Sequence, residues 1–166
     1  RDLVGIVDWL AAEILRLGVV VRFHTLADSE TVLAEQPDLV VVATGGMPRA
    51  PAITGAELAQ TSWDAATQPG PAPASALIYD EDGGHAAMSL AQHLTSQGCR
   101  VTIVTQDRVL GRSLGGSSYP VYLGALADAG VQILTDRRLA GIERDGAMLR
   151  ASLVHEYGRG AELLQV

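Results

Sequence analysis

The first apolar pattern in the chain has the period of a helix. Leu3, Ile6, Val7, Leu10, Ile14 and Leu17 recur at helical spacing, with Asp8, Glu13 and Arg16 on the opposite face. This predicts a helix over 2–17, stopped by Gly18. Val19 to Phe23 is a short β-branched run, and Asp28 and Ser29 offer caps for a brief helix through Ala34 before Pro37 breaks it. Leu39 to Ala43 is apolar without alternation, the pattern of a parallel strand covered on both faces, and it runs directly into Thr44-Gly45-Gly46.

The stretch 47–75 is rich in proline, and its end, 68–75, reads as an ordered but irregular connector. Ser62 can cap one turn around Trp63 and Asp64 within it. Beyond the connector the pattern restarts: a strand over 76–79, an Asp/Gly turn, a helix over 86–97 stopped by Gly98, and a strand over 100–105. A glycine-rich loop, 111–118, leads to Pro120 in the first turn of a helix ending near Ala129, and Gly130 precedes a strand over 131–134. That order is βαβαβ. Segments 139–144 and 147–154 flank Asp145-Gly146, a strong hairpin signal, and Gly158-Arg159-Gly160 can turn a third strand. The predicted class is α/β with parallel sheets in two lobes, 1–67 and 68–166, the second closed by a β-meander over 136–166.

Composition narrows the partners. The chain has 166 residues, 48% of them hydrophobic, and its 19 acidic against 12 basic residues leave a formal charge of −7. That sign disfavours nucleic acid as a partner. No apolar run approaches the roughly 18 residues of a membrane helix, and the N-terminal pattern is not a signal core, so a cytoplasmic protein away from membranes is expected. Cys99 is the single cysteine, which excludes an internal disulfide framework and a self-contained zinc or iron–sulfur site; no metal site is expected. The chain opens on Arg1 without a cap and stops in the apolar run Leu163, Leu164, Val166, from which a piece of a longer chain is expected.

The chemistry gathers at Tyr79-Asp80-Glu81-Asp82-Gly83-Gly84-His85-Ala86-Ala87, a turn between strand and helix where a Rossmann-type lobe cradles a dinucleotide. Asp82, Gly84 and Ala87 fall on the three special positions of the fingerprint, so the close-approach glycine is kept and the first is an acid. Three carboxylates here repel a pyrophosphate, and weak NAD(P)H binding is expected. Asp80, Gly83, Gly84 and His85 are the candidate nucleotide contacts at the turn, although His85 can equally be a solvated helix start. Asp107 lies about 20 residues beyond Gly84, where an acid holds a ribose hydroxyl, and Thr105, Gln106 and Arg108 around it can serve a ribose or a phosphate. No catalytic residue is identified: Ser89 and Ser113 have no adjacent base and no Gly-x-Ser-x-Gly elbow, and His24, His93 and His155 lack ligand spacing.

The segment Asp38-Leu-Val-Val-Val-Ala-Thr-Gly-Gly-Met-Pro48 resembles the strand that ends in Ala-Thr-Gly and links the FAD lobe to the NAD(P) lobe in two-dinucleotide-domain flavoproteins. With Gly5-Ile-Val-Asp-Trp-Leu10 upstream and Ala76-Leu-Ile-Tyr-Asp-Glu-Asp-Gly-Gly-His85 downstream, the chain resembles the C-terminal region of the NADH:flavin oxidoreductase family that holds trimethylamine dehydrogenase, histamine dehydrogenase and 2,4-dienoyl-CoA reductase. The resemblance implies Rossmann-like sheets of the FAD/NAD(P)-binding type, with 1–67 part of an FAD- or ADP-binding lobe and 68–166 a truncated NAD(P)-binding-like lobe. It implies nucleotide contacts at Ala43, Thr44 and Gly45. It also implies a parent oxidoreductase with an N-terminal barrel carrying FMN and a 4Fe-4S cluster, on which this region packs. The acidic turn fits the amine dehydrogenases better than the reductase. By itself the fragment is expected to be inactive and to hold no cofactor. A non-catalytic nucleotide-binding or structural module, or a dienoyl-CoA reductase-type parent, is the alternative.

Overall fold

The computed structural model describes residues 2–158 and 160–166. They fall into two units, one ending at Gly45 and one spanning Gly46–Val166. In the first, α1 covers Asp2–Arg16 and α2 covers Ser29–Ala34. The Asp28 carboxylate caps α2 by accepting from the Thr31 amide at 2.8 Å, as its position before the apolar turn predicts.

The strand expected at 39–43 is not formed, and the β-branched run 19–23 forms none either. Val41 and Val42 are 78% and 79% exposed. A parallel strand needs at least one neighbouring strand to pair its amides and carbonyls and a layer on each face for its side chains, and residues 2–45 supply neither. The same holds for α1, whose Val7, Leu10 and Ile14 point into open space. Apolar pattern without a partner surface does not make a core.

The second unit does have one. Its strands β1 (Ser75–Asp80), β2 (Arg100–Thr105) and β3 (Gln132–Leu134) form a parallel sheet in the order β1-β2-β3, in register through Ile78, Ile103 and Ile133. Helices α4 (His85–Ser96) and α5 (Tyr119–Asp128) make the crossovers. Strands β4 (Arg137–Asp145), β5 (Met148–His155) and β6 (Ala161–Gln165) form the antiparallel meander, with a register shift between Leu139 and Gly141.

Alternation along the parallel strands divides the interior in two. Ala76, Ile78, Val101, Ile103 and Ile133 face one way and pack with Met88, Ala91, Leu94 and Leu126 of the helices. Leu77, Tyr79, Val104 and Leu134 face the other way, onto Leu139, Ala151 and Leu153 of the meander. The lobe is thus three layers: helices, parallel sheet, antiparallel sheet. Burial on both faces of β2 is why Val101, Ile103, Val104 and Thr105 are all buried without alternation. Each fully buried aliphatic side chain, such as Ile103, contributes about 1.5–3 kcal/mol.

The proline-rich connector packs onto this lobe. Ala65 and Ala72 pack against the helix-side core and Ile53 against the meander-side core. Within it, α3 (Ser62–Thr67) is capped by Thr61 rather than Ser62: the Thr61 hydroxyl accepts from the Asp64 amide at 3.2 Å. A single 3-10 turn, Ala56–Leu58, precedes it and carries no periodic signal in the sequence.

Candidate functional site

The three parallel strands deliver Asp80, Asp107 and Asp136 to their C-terminal edge, where open α/β sheets bind ligands. Asp80 ends β1 on the helix-side face and is 4% exposed. Its Oδ1 accepts from the Gly83 amide at 3.0 Å, whereas Oδ2 is buried without a hydrogen-bond partner. Burial pushes this carboxyl above the ordinary carboxylate range. The amides of Gly83 and Asp82 work against that rise, and the charges of Asp82 and Asp107 add to it. The Gly83 amide of the turn is therefore already engaged by a carboxyl group of its own chain.

The close-approach space at the two glycines is also taken. A Cβ on Gly83 would stand 3.0 Å from Cγ of Arg112, and one on Gly84 would stand 2.3 Å from Oδ2 of Asp82. Ser113 fastens the loop in place, its amide donating to Gly83 O at 3.0 Å and its hydroxyl to Asp82 O at 3.3 Å. Gly84 is the N-cap of α4 and offers no side-chain cap, so the helix start is free in principle to meet a phosphate. In this arrangement the Asp82 carboxylate lies against it. The turn as built does not fit a dinucleotide pyrophosphate.

The ribose end is different. The Asp107 amide donates to the Thr105 hydroxyl at 3.2 Å, and Thr105 has no exposed surface; its role in the structure is to orient Asp107 rather than to reach a ligand itself. Arg112 Nε approaches Asp107 Oδ2 to 2.9 Å as an ion pair, without the alignment of a hydrogen bond. Asp136 has φ of +56°, a backbone shape that asparagine and aspartate tolerate better than most residues. It donates its amide to Asp107 O at 3.1 Å and accepts the Glu156 amide at 2.9 Å, joining the loop after β2 to the loop after β5. Arg108 projects across this junction, its guanidinium 5.4 Å from the ring centre of Tyr157. Tyr157 and the Asp136 carboxylate favour the charged form of Arg108.

His85 opens α4 and joins a short chain of polar groups: its Nδ1 lies 3.2 Å from the Tyr122 hydroxyl, which lies 2.9 Å from Ser89 Oγ. His85 and Tyr122 border an open cleft of about 440 Å³ with Gln92, Ser117, Ser118 and Val121. Tyr122 escaped sequence reasoning, although the i, i+4 spacing of His85 and Ser89 on one helix face already set them together. A larger cleft of about 540 Å³, lined by Ser75, Arg100 and Gln132, opens at the N-terminal edge of the parallel strands, the end opposite the convergent acids. Among the described residues no group of three or more histidine, cysteine or acidic side chains can hold a metal ion. No helix among them is long and apolar enough to cross a membrane.

Ala43, Thr44 and Gly45 lie in the first unit and outside any strand. Asp80, Gly83, Gly84 and His85 share one turn and helix start, and Thr105 and Arg108 flank Asp107 as their spacing suggests. Arg112, Asp136 and Tyr157 complete the site and have no motif that points to them.

Comparison with known proteins bears on what this edge serves. The chain is 33% identical to a probable N-methylproline demethylase of Rhizobium meliloti over 159 residues, covering 95% of this chain and 24% of that protein. It is 34% identical to an N,N-dimethylglycine/sarcosine dehydrogenase of Chromohalobacter salexigens over 169 residues, again 95% of this chain and 24% of the relative. The chain thus spans about a quarter of the length of these relatives. In fold it is similar to 2-naphthoyl-CoA reductase, with a TM-score of 0.79 at 20% identity over 99% of this chain and 24% of that one. Residues 7–163 match the pyridine nucleotide-disulphide oxidoreductase family, and with an α/β, Rossmann-like lobe to correspond, the chain belongs to that family of FAD/NAD-binding domains.

Proposed function

We propose that the chain is the dinucleotide-domain region of a larger flavin-dependent oxidoreductase of the amine dehydrogenase type, and that its second lobe is a lapsed nicotinamide site. The self-filled turn carries this reading: Asp80 takes the Gly83 amide, Asp82 lies on Gly84 and Arg112 lies on Gly83, so a hydride-donating dinucleotide finds no seat for its phosphates. A reductase fed by NAD(P)H needs that seat. An enzyme that takes electrons from an amine does not, and two relatives bear names that place their chemistry on N-methylated amino acids.

In this reading FMN and a 4Fe-4S cluster, carried by a barrel on which these residues pack, supply amine oxidation and onward electron transfer. FAD or ADP occupies the first lobe near Ala43, Thr44 and Gly45. What the present residues contribute is binding and orientation: Asp107 accepts hydroxyls, Arg108 offers a cation, and the buried Asp80 fixes the turn. None of them is assigned a proton transfer or a nucleophilic role.

The test is anaerobic mixing of the intact flavoenzyme with sarcosine, with N-methylproline and with NADPH, followed by flavin absorbance. Bleaching by an N-methyl amino acid and not by NADPH is the expected result. Rapid bleaching by NADPH would instead favour a reductase of the dienoyl-CoA type and would refute the lapsed site.

A further inference from the structure

The chain turns back over the ring of His155 as it leaves β5. The Tyr157 amide donates to His155 Nδ1 at 3.1 Å, and a Cβ on Gly158 would stand 3.2 Å from both Cγ and Nδ1 of the same ring. The turn sets the Tyr157 ring edge-on to that of His155 at 6.4 Å, with the Arg108 guanidinium 5.4 Å from the tyrosine ring centre. Tyr157 is 70% exposed and belongs to neither buried cluster, so the turn is shaped by these contacts and by the Glu156 amide on Asp136 O. An amide donates only to a ring nitrogen that carries a lone pair. His155 is therefore neutral in this arrangement, with its proton on Nε2.

We propose that His155 is a pH-operated latch on the loop after β5: the neutral ring holds the Tyr157 amide and keeps Tyr157 against Arg108, and the protonated ring lets both go. Protonation places an N–H on Nδ1 that points at the N–H of Tyr157, two donors with no acceptor between them. Either the imidazolium turns away or the loop lifts, and both movements break the hydrogen bond that shapes the turn. Arg108, released from the tyrosine ring, is then free to meet an anion at the C-terminal edge of the parallel sheet.

The charges on the surrounding elements offset one another. Among the described residues, Arg137 lies opposite His155 on β4 and pairs with Glu162 of β6, while Glu156, next to His155, pairs with Arg138 of β4. Asp136 stands in the loop after β3 and Arg108 in the loop after β2. Burial keeps the Tyr79 phenol of β1 neutral. With cations and carboxylates both at hand, the lone pair on Nδ1 is what decides between the two states.

Heteronuclear NMR of the isotope-labelled 166-residue chain tests the latch between about pH 8 and about pH 5, the span in which histidines change charge. At the upper pH the His155 ring is expected as its Nε2–H tautomer. As the ring gains its second proton, the Tyr157 amide proton shifts upfield with the same midpoint, and the nuclear Overhauser contact between the Tyr157 ring and the Arg108 side chain is lost. His155→Asn supplies an oxygen that accepts from the amide two residues on, as in an Asx-turn, and does not titrate. Its Tyr157 amide is expected to show no acid shift, and that of His155→Ala to stand at the released position at both pH values. Spectral dispersion of the remaining amides reports that each variant is folded.

A Tyr157 amide that ignores the titration of the ring overturns the latch. So does an Nδ1–H tautomer at the upper pH, or an acid shift in His155→Asn as large as in wild type. None of these outcomes depends on which cofactor or substrate the parent enzyme uses.

Discussion

The stem of Arg112 lies on the bare Cα of Gly83, so close that a Cβ there would stand 3.0 Å from its Cγ. The contact is specific to a glycine with φ of +67°, and it ties the loop after β2 to the turn after β1. It also turns the residue before the close-approach glycine, Gly84, into a piece of internal packing.

Gly83→Ala is therefore expected to destabilise the chain by about 1–2 kcal/mol, the cost of a left-handed backbone at a residue with a Cβ. Arg112→Ala, which removes a half-exposed side chain, is expected to stay within roughly 0.5 kcal/mol of wild type. Urea denaturation of the two variants and the double variant separates backbone strain from crowding. If Arg112→Ala restores Gly83→Ala fully, crowding is the whole effect and the strain argument fails.

Asp80 gives the fold a pH dependence of defined sign. Because burial raises its carboxyl in the folded state, the protonated form is the one the fold prefers; its contribution is full below the ordinary carboxylate range and is lost as pH rises through the elevated value. Asp80→Asn keeps an acceptor for the Gly83 amide and cannot ionise. It is expected to gain stability over wild type on going from pH 4 to pH 8, by on the order of 1 kcal/mol. Melting temperatures at the two pH values decide the matter, and a parallel shift of both proteins contradicts the buried-charge account.

Asp82 is the removable obstacle at the helix start. Taking away a carboxylate close to a phosphate is worth of order 1 kcal/mol at a surface-like dielectric, so Asp82→Gly should favour ADP over AMP by about fivefold where wild type shows little preference. Raising ionic strength weakens ADP binding to the variant, which now attracts the phosphates to amides and to Arg112. Calorimetric titrations at two salt concentrations measure both effects, and an unchanged ADP to AMP ratio would remove Asp82 from the explanation.

The 166-residue chain is expected to purify without flavin colour and to turn over neither amines nor enoyl-CoA substrates with dye acceptors. Its single cysteine cannot bind a cluster, and no acid, base or nucleophile has been assigned. Stoichiometric flavin absorbance would reverse the first expectation, and flavin-independent turnover the second.

Within the second lobe the sequence pattern was a close guide. The strand, turn, helix and strand around Asp80 to Gly84 lie within a residue or so of their predicted limits because period, turn glycines and helix stops all agree there. Residues 19–23 and 39–43 mislead for a physical reason: a buried-strand pattern states what a segment requires of its neighbours, and nothing in residues 2–45 meets the requirement. The site was half legible. Asp107 and Arg108 follow from their distance beyond the glycine turn, but Asp136 reaches them through a backbone hydrogen bond and Tyr157 through the Arg108 guanidinium, between loops far apart in sequence. The occupation of the turn by Arg112 was likewise invisible, since it depends on how a glycine-rich loop folds back and not on any period.

Gly55, in the connector, has a further consequence. A Cβ there would stand 1.9 Å from the carbonyl oxygen of Ile142, and beside it Thr54 bridges to Gly141 and accepts the Ile142 amide at 2.9 Å. The connector is in effect a selvedge sewn along β4, so that the outer margin of the meander is finished on that side. Among the described residues, this leaves the margin along β6, with its polar Glu162 and Gln165, as the side of the meander on which another strand could be laid without first unpicking the connector.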